Sequence, residues 1–219
     1  MLSPISGRFS TQLWLQTEKA YLQNTARATI NTKLEFILAI HESSRRIYVL
    51  LENLLEWAST QTGNIRFNPE VIDLNEVFDT NYALIKNKFD EKGIRFSKDF
   101  PDKTMVFADY NMISTVIRNL MGNAVKFTET GEIKASIKQT NSQLEISISD
   151  SGIGISAKIL AGLFEIDHKK STTGTRGERG SGLGLLICKE FVLKNGGEIF
   201  VTSEEGKGTT FTFTVPRIA

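Results

Sequence analysis

The stretch Asn119-Leu120-Met121-Gly122-Asn123-Ala124-Val125-Lys126-Phe127 decides the fold of the chain. It ends a helix that Asp109 is predicted to cap, with Met112, Val116, Leu120 and Ala124 on one stripe. Asn119 and Asn123 are four residues apart, so their amides share one helix face, and Lys126 lies one turn beyond. Amide oxygens suit Mg²⁺, which takes its other ligands from phosphates and water. Taken alone, two asparagines on a helix more often mark a solvated face or a cap.

A second group of candidate binding residues follows a predicted strand. Residues 143–149 alternate between polar and apolar side chains, and Asp150-Ser151-Gly152-Ile153-Gly154 comes directly after them. A carboxylate at a strand end, such as that of Asp150, can accept a hydrogen bond from the exocyclic amine of adenine. Gly152 and Gly154 would let the backbone approach the base without a Cβ clash. By itself this pattern is weak, because many turns share it.

Two further glycine-rich motifs lie closer to the C-terminus. Gly180-Ser181-Gly182-Leu183-Gly184 opens a helix predicted over residues 181–195, and unblocked backbone N–H groups at a helix start bind phosphates. Its simpler explanation is a flexible loop ending in an N-cap serine. Gly206-Lys207-Gly208-Thr209 lies in a predicted hairpin, where a glycine turn is a sufficient explanation. The order of all four motifs, each where the predicted elements require it, outweighs these separate explanations.

The predicted elements after residue 63 are short strands segregated from helices. Helices are predicted over residues 74–91, 109–127, 156–162 and 181–195. Strands are predicted over residues 94–100, 104–107, 131–139, 143–149, 198–203 and 209–215, with extended chain around Pro69. Residues 167–180 carry almost no apolar side chain, which predicts a mobile loop. Mostly antiparallel strands and segregated helices indicate an α+β fold, a two-layer α/β sandwich.

The first sixty residues carry the periodicity of helices instead. Apolar residues recur at spacings of three and four between residues 31 and 61, among them Leu34, Ile37, Leu38, Ile47, Tyr48, Leu51, Leu54 and Leu55. A lone helical hairpin could not bury so wide an apolar face, so we expect a second copy of the hairpin to close a four-helix bundle. The alternative is that this face packs on the chain's own second domain.

Composition excludes several classes of protein. The 219 residues are 40% hydrophobic and 23% charged, and the net charge of +1 predicts no general attraction to nucleic acid or to anionic membranes. No apolar run approaches the roughly 20 residues that span a bilayer, and the residues after Met1 do not resemble a signal peptide. The single cysteine, Cys188, suits a reducing cytoplasm. We therefore expect a cytoplasmic chain without nucleic-acid or membrane contact, whether or not a longer parent protein is anchored in a membrane.

Together these residues resemble the nucleotide-binding boxes of sensor histidine kinases. The resemblance covers roughly residues 64–217. It comprises the asparagine box at 119–127, the first glycine box at 150–154, the phenylalanine box around Leu163-Phe164-Glu165, and the second and third glycine boxes at 180–184 and 206–208. The family resemblance implies a Bergerat fold, in which ATP and Mg²⁺ bind between the helices under a flexible lid.

The resemblance also implies roles for the matching residues. Asp150 would read adenine, with Thr209 near the base, and Asn123 would hold Mg²⁺. Asn119 would support the triphosphate site, while Lys126 and the glycine-rich helix start would hold phosphates. The expected ATP-binding residues are Asn119, Asn123, Lys126, Asp150, Gly152, Gly154, Phe164, Arg176, Gly180, Ser181, Gly182, Leu183, Gly184 and Thr209.

Two of these residues belong to the expected lid. Phe164 would anchor it. Arg176 is a candidate ligand of the γ-phosphate, and a solvated loop arginine is an equally good interpretation.

The N-terminal hairpin resembles the dimerisation domain of the same kinases. Ser3-Pro4-Ile5 looks like the end of the phosphoacceptor box, which places the acceptor histidine upstream of Met1. Residues 1–62 are therefore expected to form a truncated hairpin without that histidine, and residues 63–219 the ATP-binding catalytic domain. His41-Glu42 begins like an acceptor box, but no proline follows and it lies on the wrong helix. We interpret His41 as an ordinary helix residue.

The function that the resemblance implies is that of the kinase core of a two-component sensor histidine kinase. The intact parent would pass the γ-phosphoryl group of ATP to a histidine and then to a response-regulator aspartate. This chain is expected to bind Mg-ATP without autophosphorylating on the usual histidine. Its expected partners are a second copy of itself, through the hairpin, and a response-regulator receiver domain.

Other functions stay open at this point. ATPases of the gyrase, chaperone or mismatch-repair kind share the fold, but they carry a glutamate at the position of Asn119 to activate water, and an amide cannot act as that base. A serine-phosphorylating regulator of the same fold is disfavoured by the N-terminal hairpin. A nucleotide-free dimerisation module with vestigial boxes is disfavoured by the intact box residues.

Overall fold

Two compact units divide the chain, Met1–Leu51 and Glu52–Ala219. The computed structural model describes residues 66–140, 142–165, 174–178 and 182–217, together with helical residues scattered between 32 and 55. The expected domain boundary between residues 62 and 63 lies outside these described residues and stays a prediction.

The described part of the first unit is helical. Every described residue between 32 and 51 lies in a helix, which agrees with the helix predicted from residue 31 onward. Their apolar side chains are 53–65% exposed, a set that comprises Leu34, Phe36, Ile37, Leu38, Ile40, Ile47, Tyr48 and Leu51. The helix predicted before Arg27 lies outside the described residues, and the four-helix bundle remains a prediction.

The second unit is built from helices and short strands. Its helices are α1 (Leu74–Lys92), α2 (Tyr110–Phe127), the short α3 (Ala157–Leu160) and α4 (Gly184–Lys194). Its strands are β1 (Glu70–Asp73), β2 (Ile94–Asp99), β3 (Met105–Ala108), β4 (Gly131–Gln139), β5 (Gln143–Asp150), β6 (Ile199–Glu204) and β7 (Gly208–Pro216). In the described chain no helix is long and apolar enough to cross a bilayer.

Local signals in the sequence set the ends of the two long helices. The side chain of Asp73 caps α1 by accepting a hydrogen bond from the Asn75 N–H, and Asp109 caps α2 by accepting one from the Met112 N–H. Gly93 ends α1 with φ of 63°, the left-handed conformation that glycine adopts without a Cβ penalty. The predicted ends of both helices are therefore confirmed to within a residue.

The strands form two sheets, and the larger one carries the core. Five strands pair in the order β2-β4-β5-β7-β6, all antiparallel except for the parallel pair β2 and β4. The two-stranded sheet pairs β1 with β3. Alternate residues of the large sheet are buried under the helices, for example Ile133, Ala135, Ile146 and Phe213. The predicted α+β, two-layer α/β sandwich is confirmed.

Two expected elements need correction. The helix predicted from Ser181 begins instead at Gly184, because Gly182 has φ of 75° and cannot continue a right-handed helix. The first helical turn is therefore capped by Leu183, which makes no side-chain cap hydrogen bond. The helix predicted over residues 156–162 is shorter than expected, since α3 spans only Ala157–Leu160 and turns follow it.

Candidate nucleotide-binding site

Asp150, whose side chain is a carboxyl group, is the last residue of strand β5. Its Oδ1 accepts a hydrogen bond of 2.9 Å from the Gly152 N–H, and the backbone of Thr209, its register partner on β7, also hydrogen-bonds to it. Burial raises the pKa of the Asp150 carboxyl to about 6, although these backbone hydrogen bonds act in the opposite direction. A half-buried carboxylate with unused acceptor capacity is suited to receive a hydrogen bond from an amine.

Glycines bring the backbone around Asp150 into close contact with neighbouring elements. A Cβ atom on Gly152 would collide with the carbonyl oxygen of Phe127, at the end of α2. The same carbonyl accepts a hydrogen bond of 3.1 Å from the Ile153 N–H. Gly154, with φ of 68°, packs against the backbone of Glu204 in the same way. The first glycine box is therefore fixed between the end of α2 and the β6–β7 hairpin.

The third glycine motif, at residues 206–208, packs against the backbone of Asp150. Gly208 has φ of 107°, and a Cβ atom there would meet the carbonyl oxygen of Asp150. The next residue, Thr209, is 6% exposed, and its hydroxyl lies 2.9 Å from the Ser203 hydroxyl. Thr209 therefore lies opposite Asp150 in the sheet, and its hydroxyl already interacts with Ser203 of the neighbouring strand β6. Its expected place near an adenine base stays a prediction.

The middle of α2 meets the start of α4. The Asn119 amide donates a hydrogen bond of 3.0 Å to the Thr115 carbonyl, which leaves its oxygen pointing outward from the helix. That oxygen lies 2.8 Å from the position that a Cβ atom on Gly184 would occupy. The structure therefore brings the asparagine box against the helix start that follows the second glycine box. Gly180 and Ser181 lie outside the described residues.

Asn123 lies on α2 between Asn119, which contacts the start of α4, and Phe127, which contacts the first glycine box. Its side chain is half-buried, and it makes no hydrogen bond to any residue that the structure describes. From Asn119 to Phe127 the helix rises about 12 Å, at about 1.5 Å a residue. Asn119 and Asn123 share one side of α2, whose middle contacts the start of α4 and whose end contacts the first glycine box.

Lys126 lies beside the first glycine box. Its ammonium is 4.7 Å from the centre of the Phe127 ring. Burial lowers the pKa of Lys126, and the nearby Glu178 carboxylate acts against that shift. A desolvated ammonium held near one carboxylate can neutralise further negative charge at this place.

Two expected lid residues occupy different surroundings. Phe164 is half-buried and packs against the core. Arg176 lies in an ion pair with Glu129, at 3.0 Å, and donates a hydrogen bond of 3.3 Å to the Glu91 carbonyl. The Arg176 guanidinium is thus held at the far end of α2 and not beside Asn119. The remainder of the predicted loop, apart from residues 174–178, lies outside the described chain.

The side chains available as metal ligands limit how a metal ion could be bound here. In the part of the chain that the structure describes, no group of three or more His, Cys, Asp or Glu side chains could hold a metal ion. An ion here would need the Asn123 amide oxygen together with oxygens of a bound ligand and water. That combination fits Mg²⁺, which is commonly bound through a few protein oxygens plus substrate phosphates.

One residue that contacts this site is not evident from the sequence. Lys92, at the end of α1, extends to the last carbonyls of α2 and to the described segment 174–178. Its sequence context, Lys92-Gly93, is that of an ordinary helix end. Nothing in one sequence distinguishes this buried lysine from a solvated one.

Comparison with known proteins places the site in a family context. Residues 108–219 match the model of the histidine kinase-, DNA gyrase B- and HSP90-like ATPase family. The chain is 32% identical over 212 residues to the sensor histidine kinase WalK of Bacillus subtilis, covering 92% of this chain and 34% of that protein. The chain therefore spans about a third of the length of this relative.

Solved structures share the fold. Full-length ShkA, crystallised in complex with AMPPNP, is 25% identical with a TM-score of 0.72, over 84% of this chain and 39% of ShkA. The catalytic domain of the histidine kinase ThkA is 29% identical with a TM-score of 0.60, over 70% of this chain and 97% of that domain.

Proposed function

Because the chain belongs to the histidine kinase-, DNA gyrase B- and HSP90-like ATPase family, we propose that its second unit binds Mg-ATP along α2, as the kinase core of a two-component sensor histidine kinase. The observation that carries the proposal is the half-buried Asp150 carboxyl, at a strand end lined by glycines. Adenine offers an exocyclic amine to such a carboxylate, and a hydrogen bond to a charged group is worth about 1.5–3 kcal/mol.

The phosphates would lie toward Asn119 and α4. Helix α4 begins at Gly184, directly after the left-handed Gly182, and the first N–H groups of a helix point away from its own carbonyls. The helix dipole favours negative charge at this end. The Lys126 ammonium would neutralise further charge from the other side. The positions of Asp150, Asn119 and Lys126 support this proposed division of the site, with the base at one end of α2 and the phosphates along it.

Mg²⁺ is proposed at Asn123. When bound, the ion would neutralise charge on the phosphates and fix their arrangement for transfer. The Asn123 amide would supply a neutral oxygen, and phosphate and water oxygens the remainder. Asn119, one turn earlier, would orient the triphosphate through its outward amide oxygen and the adjacent N–H groups of α4.

Phosphoryl transfer asks the protein mainly for positioning and charge neutralisation. In the parent protein, we propose, a histidine nitrogen attacks the γ-phosphorus, the bond to the bridging oxygen breaks, and ADP leaves. A response-regulator aspartate then accepts the phosphoryl group. Neither His41 nor His168 lies in an acceptor box, so this chain alone is proposed to bind ATP without labelling itself on the usual histidine.

The proposed homodimer rests on the first unit. Its described apolar side chains are exposed at Leu34, Ile37, Leu38, Ile47 and Leu51. A second copy of the same hairpin would cover them in a four-helix bundle. ATP and a reducing environment for Cys188 both favour a cytoplasmic location.

Hydrolysis of ATP by a gyrase-like mechanism is the rival proposal. It needs a general base beside the attacking water, and the group at that position is the amide of Asn119, which cannot take a proton. Slow turnover that Asn119→Ala abolishes would favour the rival. We therefore propose kinase rather than ATPase chemistry.

Incubation with γ-labelled ATP and Mg²⁺ tests this proposal. The chain is expected to retain bound ATP but to gain no acid-labile label, while label should appear on an added dimerisation domain that carries an acceptor histidine. A chain that binds no ATP would contradict the proposed function. Acid-labile label on the chain itself would contradict the proposed role of its histidines.

A further inference from the structure

The ammonium of Lys92 caps the C-terminal end of α2 by donating hydrogen bonds to its carbonyls. Lys92 is the last residue of α1, and it is 8% exposed. Its Nζ donates to the carbonyls of Val125 at 2.9 Å and Thr128 at 3.2 Å, and lies 3.4 Å from the carbonyl of Lys126. The last carbonyls of a helix lack partners within it and carry its negative dipole end. A buried cation is well placed to satisfy them.

The same ammonium holds the described segment 174–178. Its Nζ lies 2.9 Å from the Thr175 hydroxyl and 2.8 Å from the Glu178 carboxylate. An ammonium has three N–H donors, so it shares them among these acceptors. The ion pair is largely shielded from water on the lysine side, where the side chain is 6% exposed. Removing the Glu178 carboxylate would leave the buried charge of Lys92 without this counter-ion, which is destabilising.

The Glu178 carboxylate is bound from more than one side. Burial raises the pKa of Glu178, but the hydrogen bonds from Lys92 and from the backbone lower it by more, so the net pKa lies below its ordinary value. Its Oε2 accepts a hydrogen bond of 2.7 Å from the Arg176 N–H. The Gly174 N–H also donates to the Glu178 carbonyl, at 2.8 Å. Residues 174–178 therefore form a tight turn around this carboxylate.

That turn rests directly on Lys126. The Thr175 N–H donates to the Lys126 carbonyl at 3.1 Å, and the Thr175 hydroxyl does so at 3.2 Å. A Cβ atom on Gly174 would lie 2.5 Å from Cγ of Lys126, so this glycine allows the contact with the lysine side chain. Lys92 is thus linked to Lys126 in two ways, directly at the Lys126 carbonyl and indirectly through the turn that packs on the Lys126 side chain.

We propose that Lys92 is a positioning residue, which pins segment 174–178 to the end of α2 and so holds Lys126 in place for the phosphates. The inference rests on the proposed nucleotide site and adds a residue outside its boxes. In this proposal the ammonium of Lys92 stays with its protein acceptors rather than binding the nucleotide. It acts by limiting the conformations of Lys126, so that less freedom is lost when the nucleotide binds.

A double-mutant cycle in the full chain tests the proposal, with AMPPNP affinity measured by calorimetry. Lys92→Met is expected to weaken AMPPNP binding about tenfold, within the range of couplings between contacting residues. In a Lys126→Met background the same change should have an effect of less than about twofold. Equal losses in both backgrounds would overturn the proposal, because Lys92 would then act independently of Lys126.

A stability control separates positioning from simple loss of fold. Asn81 is buried and joins α1 to α2 through a hydrogen bond to the Ser114 hydroxyl, while it also donates to the Val77 carbonyl within α1. Asn81→Ala should lower the thermal midpoint and leave AMPPNP affinity unchanged. Should Lys92→Met fail to fold, Glu178→Gln with Thr175→Val removes the anchor while Lys92 keeps its helix carbonyls. Unchanged affinity in that variant would overturn the proposal.

Hydrogen exchange distinguishes a failure of this inference from a failure of the proposed function. In the nucleotide-free chain, Lys92→Met should increase exchange at residues 174–178 and leave the strands β5 and β7 protected. Unaltered exchange at this segment would refute the anchor even if the unaltered chain bound no nucleotide. Absence of AMPPNP binding by the unaltered chain would refute the proposed function, whereas equal binding by Lys92→Met would refute only the role of Lys92.

Discussion

The amide oxygen of Asn119 lies 2.8 Å from the place where a Cβ atom on Gly184 would stand. Because Gly184, the first residue of α4, has no Cβ atom, α4 can begin in direct contact with Asn119 of the asparagine box. The Asn119 amide cannot move aside freely, because its nitrogen donates to the Thr115 carbonyl. The contact explains why a small residue is required at the first position of α4.

Gly184→Ala should weaken nucleotide binding by forcing the Asn119 amide to rotate. We expect a loss of about 1 kcal/mol in the free energy of ADP binding, comparable to one hydrogen bond. Folding stability should be unchanged or slightly higher, because alanine favours a helix over glycine by about 0.5–1 kcal/mol. In an Asn119→Ala background the change should cost no further affinity. A full additional loss there, measured by calorimetry, would contradict the steric explanation.

Asp150→Asn should weaken binding and stabilise the fold. The affinity for ADP should fall by about 1–3 kcal/mol, because a buried acceptor for the adenine amine is replaced by a weaker one. Because the pKa of Asp150 is raised from 3.8 to about 6, its charge lowers the stability progressively between these pH values and to the full extent above pH 6. Removing that charge should stabilise the chain at pH 8 by about 1–2 kcal/mol, allowing for partial exposure. Denaturant unfolding should show this gain shrinking as the pH falls toward 4, and a loss of stability at pH 8 would argue against a desolvated carboxylate.

ADP affinity should depend on the ionisation of Asp150. Its pKa is raised to about 6, and the adenine amine binds the charged form. Affinity should therefore be full above about pH 7 and fall as the pH drops through 6, by up to about tenfold per unit well below it. The phosphates of ADP titrate near pH 6 as well. The Asp150→Asn profile supplies that background, and identical profiles for the two proteins would exclude Asp150 from the site.

Asn123→Ala should remove much of the magnesium dependence of ATP binding. If its amide oxygen is a metal ligand, the gain in ATP affinity on adding Mg²⁺ should shrink by on the order of tenfold. Asn119→Ala is the matched comparison, since it should weaken binding to a similar extent with Mg²⁺ and with EDTA. Titrations of the two variants under both conditions provide the measurement. A magnesium effect that survives in Asn123→Ala would place the ion elsewhere.

Much of the fold follows from local signals that a sequence displays. The caps at Asp109 and Gly93 and the alternation in β4 and β5 each depend on a few neighbouring residues, and the structure places them as predicted. The start of α4 was not predictable in this way. Gly182 adopts a left-handed conformation there, and a glycine permits that conformation without requiring it.

The contacts of Lys92 could not be predicted from local sequence patterns, because its partners lie far away along the chain. Its acceptors come from residues 33 to 36 positions away, at the C-terminal end of α2 and its cap, and from Thr175, 83 positions away. Arg176 is a similar case, since its partner Glu129 lies 47 positions earlier. Lysine and arginine side chains are usually solvated, so the burial of Lys92 and the pairing of Arg176 with Glu129 depend on tertiary packing.

A crystal structure of the chain with Mg-AMPPNP tests the central claim most directly. The account predicts that the adenine amine lies about 3 Å from an oxygen of the Asp150 carboxyl. It also predicts the metal ion at about 2.1 Å from the Asn123 amide oxygen, with the phosphates against the start of α4. A nucleotide bound on another surface, or one whose adenine contacts the chain away from Asp150, would contradict it.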